Sequence, residues 1–306
     1  MRKPNLFIIG AQRAATTSLH LTLNLHPDIF MSEIKEPQFF TSELLRKEGD
    51  LNVYQEYIEK GKYRTYDSYI SLFSAVKKEK IVGESSHYMY RPGNAKVIHS
   101  FNENSKIIVC VRNPIDRLFS EYVLLKNKER LTISYDDFIN AELIKAYNGE
   151  RSKLHKGLYC DSIIEYREMF KEIYLMDFEN LKKNGALELS KIFNFLEVED
   201  LSDKISFLVV KSVIPDQIKN LIKRLKNNYF GNFLFKLLNK YISRSKRKLL
   251  VENLSSNVKP SEIELGHTKY YPELIEFYKN DVIQLSSIMN RDLSHWISSS
   301  NYKLPQ

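Results

Sequence analysis

The chain alternates short apolar runs with longer amphipathic stretches. Continuous apolar segments at 6–9, 80–83, 106–111 and 173–177 are bounded by polar or turn-forming residues and are too short for helices. They predict buried strands. Between them apolar positions recur at helical spacing, predicting helices over 16–25, 95–101, 115–126, 135–145, 161–170, 186–196 and 272–288. The first helix stops at His26-Pro27-Asp28, where proline disfavours helical backbone before it. Residues 41–79, rich in Tyr, Lys and Glu, break the periodicity and predict short flanking helices, and 197–214 is irregular. This alternation predicts an α/β fold with a central, mostly parallel sheet covered by helices on both faces. With no internal repeat and no Pro-, Gly- or Ser-rich linker, residues 1–306 are expected to form one domain. Ligands of such sheets lie at the carboxyl ends of the strands, here residues 10–13, 84 and 112.

Residues 7–18, FIIGAQRAATTS, predict a strand, a tight turn carrying one cation, and a hydroxyl-rich helix start. Unpaired N–H groups at a helix N-terminus, with the helix dipole, favour an anion. Arg13 adds a full charge, and Thr16, Thr17 and Ser18 add short donors. The nucleotide-triphosphatase pattern G-x-x-x-x-G-K-[ST] is not matched from Gly10, because Ala15 and Thr16 stand where its second Gly and its Lys belong. A second strand–turn–helix, 106–122, places Arg112 at a strand end and Ser120 in the following helix. Its guanidinium offers a rigid fork for phosphate oxygens, or else an ion pair to Asp116 or Glu121. Further candidates are the segments KEPQFF at 35–40 and GESSHYMY at 83–90, and the ending NRDLSHW at 290–296.

In their order along the chain these segments resemble the sulfotransferases that use 3′-phosphoadenosine 5′-phosphosulfate (PAPS). The likeness is to the heparan sulfate N- and 3-O-sulfotransferases and to bacterial carbohydrate sulfotransferases. The resemblance implies a P-loop-like three-layer fold and transfer of a sulfuryl group from PAPS to a hydroxyl or amine of a carbohydrate or glycolipid acceptor, with 3′-phosphoadenosine 5′-phosphate (PAP) as product and no metal. It implies that Gly10, Arg13, Ala14, Ala15, Thr16, Thr17 and Ser18 cradle the 5′-phosphosulfate, and that Arg112 and Ser120 hold the 3′-phosphate. Arg13 stands where the family has a catalytic Lys, and its role would be electrostatic, since Arg does not release a proton. Glu84 is the expected general base and His87 its competitor. Ser85 and His87 depart from the Lys and Pro common in relatives, so Lys35 is expected to supply the missing charge. Tyr159, in Gly157-Leu-Tyr159, either lines the donor pocket or belongs to the core.

The chain has 46 Lys and Arg against 38 acids, a net charge of +8. Residues 215–250 hold ten Lys or Arg and one acid, Asp216, so the rest of the chain is near neutral. This basic amphipathic segment is expected to be helical. It would be a solvated helix pair, a basic rim for an acidic glycan, or a contact with a membrane surface. No apolar run approaches the ~20 residues of a membrane span. A cytoplasmic or membrane-peripheral location is the corresponding expectation. Cys110 and Cys160 lack metal-ligand spacing. No helix–turn–helix or aromatic platform points to nucleic acid, and oligomeric state is not legible. Two rivals stay open: a P-loop-like nucleotide kinase, and a non-enzymatic protein binding acidic glycans or membranes.

Overall fold

The computed structural model describes residues 2–208, except 50, 60 and 129, and residues 268–298. The basic segment 215–250 lies outside the described residues. Five strands form one sheet: β1 (Leu6–Gly10), β2 (Ile29–Met31), β3 (Ile81–Ser85), β4 (Lys106–Val111) and β5 (Ile173–Asp177). Their order is β2-β3-β1-β4-β5, and every pairing is parallel. The expected mostly parallel sheet is thus wholly parallel among the described residues. Parallel sheets are covered on both faces, which is why β1, β3 and β4 read as near-continuous apolar runs and are buried along almost their whole length.

Helices fill the connections. They are α1 (Thr16–Leu23), α2 (Phe39–Glu48), α3 (Leu51–Glu59), α4 (Tyr66–Ile70), α5 (Asn94–Phe101), α6 (Pro114–Asn127) and α7 (Tyr135–Tyr147). Four more follow: α8 (Cys160–Met169), α9 (Phe178–Lys183), α10 (Gly185–Phe195) and α11 (Tyr271–Met289). Local chemistry sets several starts. Asn113 caps α6 by accepting from the N–H of Ile115 at 2.9 Å and of Asp116 at 3.4 Å, and Pro114 follows at the first helical position. Ser134 and Asp177 cap α7 and α9 in the same way.

The edge strand β2 was not among the predicted elements. Three residues carry too little periodicity to register, and β2 is identified only by its pairing with β3. Strand β3 also runs two residues past its predicted end, because Glu84 and Ser85 remain in the ladder beside Phe7 and Ile8. The aromatic content of 39–73 has a structural use. Phe39, Phe40, Tyr69 and Phe73 pack with Tyr88 and Phe101, with Phe39 stacked on Tyr69 at 4.4 Å. Among the described residues no helix is long and apolar enough to cross a membrane.

Backbone with positive φ gathers at the carboxyl edge of the sheet. Gly10 has φ +150°, Arg13 +75° and Ala15 +65°; Glu36 and Gln38 are each at +60°. A Cβ on Gly10 would sit 2.3 Å from Met89 Sδ. Left-handed backbone costs an L-residue roughly 1–2 kcal/mol. Two substitutions five residues apart should therefore act in opposite directions. Gly10→Ala is expected to destabilise by about 1–3 kcal/mol through strain and crowding. Ala15→Gly is expected to be neutral or stabilising by up to ~1 kcal/mol, the left-handed cost outweighing the added freedom of the unfolded chain. Urea denaturation of the two variants checks this; a clear loss in Ala15→Gly would exclude the left-handed turn.

Candidate active site

The parallel register sets the geometry. Strand β1 lies between β3 and β4, with Ile8 opposite both Ser85 and Ile108 and Gly10 opposite Val109. The turns after Gly10, Ser85 and Val111 therefore open on one edge. Residues 11–15 form a tight turn there. The Ala11 N–H donates to the Cys110 carbonyl at 2.7 Å, the Ala14 N–H to Ala11 at 3.2 Å, and the Gln12 N–H to the Tyr90 hydroxyl at 2.7 Å. Ala11 and Ala14 are wholly buried, so larger side chains would not fit at either position. Thr16, Thr17 and Ser18 make the first turn of α1, which has no acidic residue and no side-chain cap. A helix N-terminus of this kind favours an anion.

Two cations converge on this turn. The Arg13 guanidinium donates to Ser120 Oγ from Nε at 3.1 Å and from Nη2 at 2.8 Å. Arg112 Nη1 donates to the Arg13 carbonyl at 3.2 Å. The two strand–turn–helix units read separately in the sequence thus form one site, with Arg13, Arg112 and Ser120 together. Burial, and then repulsion from Arg112, lowers Arg13 to about 10. Arg112 is lowered as well, by burial above all. Its Nε is buried and finds no hydrogen-bond partner among the described residues. Paired, desolvated guanidinium groups with an unsatisfied donor form a site that gains stability when an anion enters. Tyr159 is wholly buried and donates its hydroxyl to the Arg112 carbonyl at 2.8 Å, so it supports Arg112 from the core. Lys156, which did not stand out in the sequence, lies beside the turn. Its Nζ is 2.7 Å from Gln12 Oε1 and 2.9 Å from Glu121 Oε1.

The opposite wall carries the acid–base candidates. Lys35 Nζ donates to Thr16 Oγ1 at 3.4 Å and to Glu36 Oε1 at 2.6 Å, tying the KEPQFF segment to the start of α1. Glu36 Oε2 accepts from Gln38 Nε2 at 3.0 Å and from the His87 N–H at 3.1 Å; His87 Nδ1 lies 3.1 Å away. The Glu36 side chain is 30% exposed. Burial works to raise its pKa, but Lys35 and then His87 outweigh burial and leave it below the usual carboxylate range. His87 is lowered to about 4, chiefly by burial, so its ring is neutral near pH 7.

Glu84 is placed differently. Its side chain is 0% exposed, 3.0 Å from Ser86 Oγ and in long contact with the Tyr69 hydroxyl at 3.5 Å. Burial pushes its pKa up to about 8. On β3 its neighbour Ser85 turns instead toward α1, with Oγ 2.8 Å from His20 Nδ1. In the sequence the end of an apolar run marks Glu84, and nothing comparable marks Glu36. The signal available for Glu36 is its place beside Lys35 in KEPQFF.

The family model described as the sulfotransferase domain matches residues 3–258. Human carbohydrate sulfotransferase 15 is 27% identical over 259 residues, covering 68% of this chain and 46% of that protein. Mouse heparan sulfate glucosamine 3-O-sulfotransferase 6 is 22% identical over 202 residues, covering 64% of this chain and 52% of that protein. The chain thus spans about half the length of these curated relatives. A sulfotransferase from Alicyclobacillus acidocaldarius has a similar fold, with a TM-score of 0.65 at 24% identity, covering 97% of this chain and 100% of that one. Both arginine-bearing turns fall inside the matched region, and the chain belongs to the sulfotransferase domain family.

Proposed function

We propose that this protein transfers a sulfuryl group from PAPS to a hydroxyl or amine of a carbohydrate-type acceptor. The observation that carries the reading is the convergence of Arg13, Arg112 and Ser120 on one edge of the sheet. Two anionic groups on one nucleotide match two adjacent cationic turns better than a single triphosphate chain does. The names of the relatives support a carbohydrate acceptor. The kinase alternative is disfavoured by Thr16, which occupies the position where that pattern needs Lys.

In this reading the N–H groups of the 13–17 turn and the Thr16 and Thr17 hydroxyls bind the phosphosulfate end. Arg112 and Ser120 take the 3′-phosphate. Arg13 stabilises the charge that grows on the bridging phosphate oxygen as its bond to sulfur breaks, and a cation held in a water-poor site is effective in that role. Lys35, shared between Thr16 and Glu36, stands at the boundary between donor and acceptor. The acceptor oxygen or nitrogen forms the new bond to sulfur and gives up its proton. Glu36 is the proposed base in place of Glu84, because a base must reach the proton it takes. The Glu36 side chain is partly exposed, whereas Glu84 is buried among Ser86 and Tyr69.

Three expectations follow from this assignment. PAP should raise the melting temperature without Mg²⁺ while ATP with Mg²⁺ does not; the reverse pattern in a thermal-shift assay would favour a kinase. With labelled PAPS and a glycan panel, Glu36→Gln should lower kcat by about 10²–10⁴-fold, the usual worth of a general base. Arg13→Ala should cost about 10²–10³-fold, and Glu84→Gln should stay near wild type. The pH profile separates the two carboxylates. A base held below the usual range is ionised throughout neutrality, so kcat/KM should be flat there and fall only in acid. Were Glu84 the base, the rate would still be climbing near pH 8.

A further inference from the structure

The ending NRDLSHW at 290–296 has no part in the chemistry above, yet it reaches the site. Helix α11 stops at Asn290, whose φ of +46° turns the chain back. Arg291 Nη1 then pairs with Asp177 Oδ2. Asp177 is 2% exposed on its side chain, and its Oδ1 accepts the Glu179 N–H at 2.7 Å to cap α9. His295 Nε2 lies 2.9 Å from Glu179 Oε2. The carbonyl of Trp296 accepts from Asn113 Nδ2 at 3.4 Å, and Trp296 itself is wholly buried.

These contacts bracket two residues. Phe178 lies between Asp177 and Glu179, and Arg112 precedes Asn113. The Arg112 guanidinium carbon sits 4.7 Å from the centroid of the Phe178 ring. An aromatic face beneath a guanidinium attracts its charge and leaves the N–H groups in the guanidinium plane able to grip phosphate oxygens. The ending therefore fastens both the ring under Arg112 and the main chain after it.

We propose that residues 290–296 act as a clamp that orients Arg112 for the 3′-phosphate, with Arg291 and Phe178 as positioning residues. This rests on Arg112 holding that phosphate in the proposed function. A guanidinium held in place loses less freedom on binding, and the benefit falls only on ligands that carry the 3′-phosphate.

Calorimetric titration of the full chain with PAP and with AMP, which lacks that phosphate, isolates the effect. Wild type is expected to prefer PAP. Arg291→Met should cut the preference about tenfold while AMP affinity moves less than about twofold, and Arg291→Lys should restore it. Phe178→Leu, which keeps apolar bulk, should show the same selective loss and serves if Arg291→Met folds poorly. The clamp is overturned if both variants keep the preference, or if AMP weakens in step with PAP, as a plain adenine contact or a general loosening would produce. A wild type without preference, or an Arg112→Ala variant that keeps it, would instead overturn the assignment of the 3′-phosphate to Arg112.

Discussion

The parallel pairing of β1 with both β3 and β4 is the constraint on which the site depends. In a parallel ladder every strand ends on the same edge, so turns far apart in sequence emerge side by side. Gly10 and Arg112 are about a hundred residues apart, yet the register that sets Gly10 beside Val109 places their turns in hydrogen-bonding contact. The order β2-β3-β1-β4-β5 then sets the KEPQFF segment against the other flank of the Gly10 turn, through the Glu36 N–H bonded to the Ser85 carbonyl at 2.9 Å. No single motif makes this arrangement; the ladder does.

Charge concentrated at that edge is costly to the fold. Both guanidinium groups are desolvated, and Arg112 further lowers the tendency of Arg13 to stay protonated. Non-glycine residues with left-handed backbone, Arg13, Ala15, Glu36 and Gln38, gather in the same place. Such strain persists where the surrounding structure over-determines it. Here the buried alanines, the bond from Gln12 to Tyr90 and the ring of Phe178 supply the restraint.

Glu36 and Glu84 show how position decides the chemistry of one residue type. Both are carboxylates within reach of the strand ends, and their pKa values move in opposite directions. Glu36 has Lys35 and His87 beside it and keeps access to water. Glu84 follows the inward side of β3, where hydroxyls and aromatic rings surround it, and burial favours its protonated form. Its resemblance to an acid–base group in the sequence came from standing at the end of an apolar run. The same alternation that makes β3 a strand carries that side chain into the interior.

The α/β class, four of the five strands, the tight turn after Gly10 and the strand–turn–helix that carries Arg112 and Ser120 all follow from the chain alone. These rest on local features: apolar runs, a glycine before a cation, a helix start rich in hydroxyls. Packing alone brings β2 into the sheet, sets Tyr159 under Arg112 from the core and Lys156 beside Gln12, and leaves Glu36 partly exposed while Glu84 is buried. Each of those depends on which face of a strand a side chain takes or on a contact between distant segments. Spacing along one chain does not encode such contacts, because they are set by packing in three dimensions.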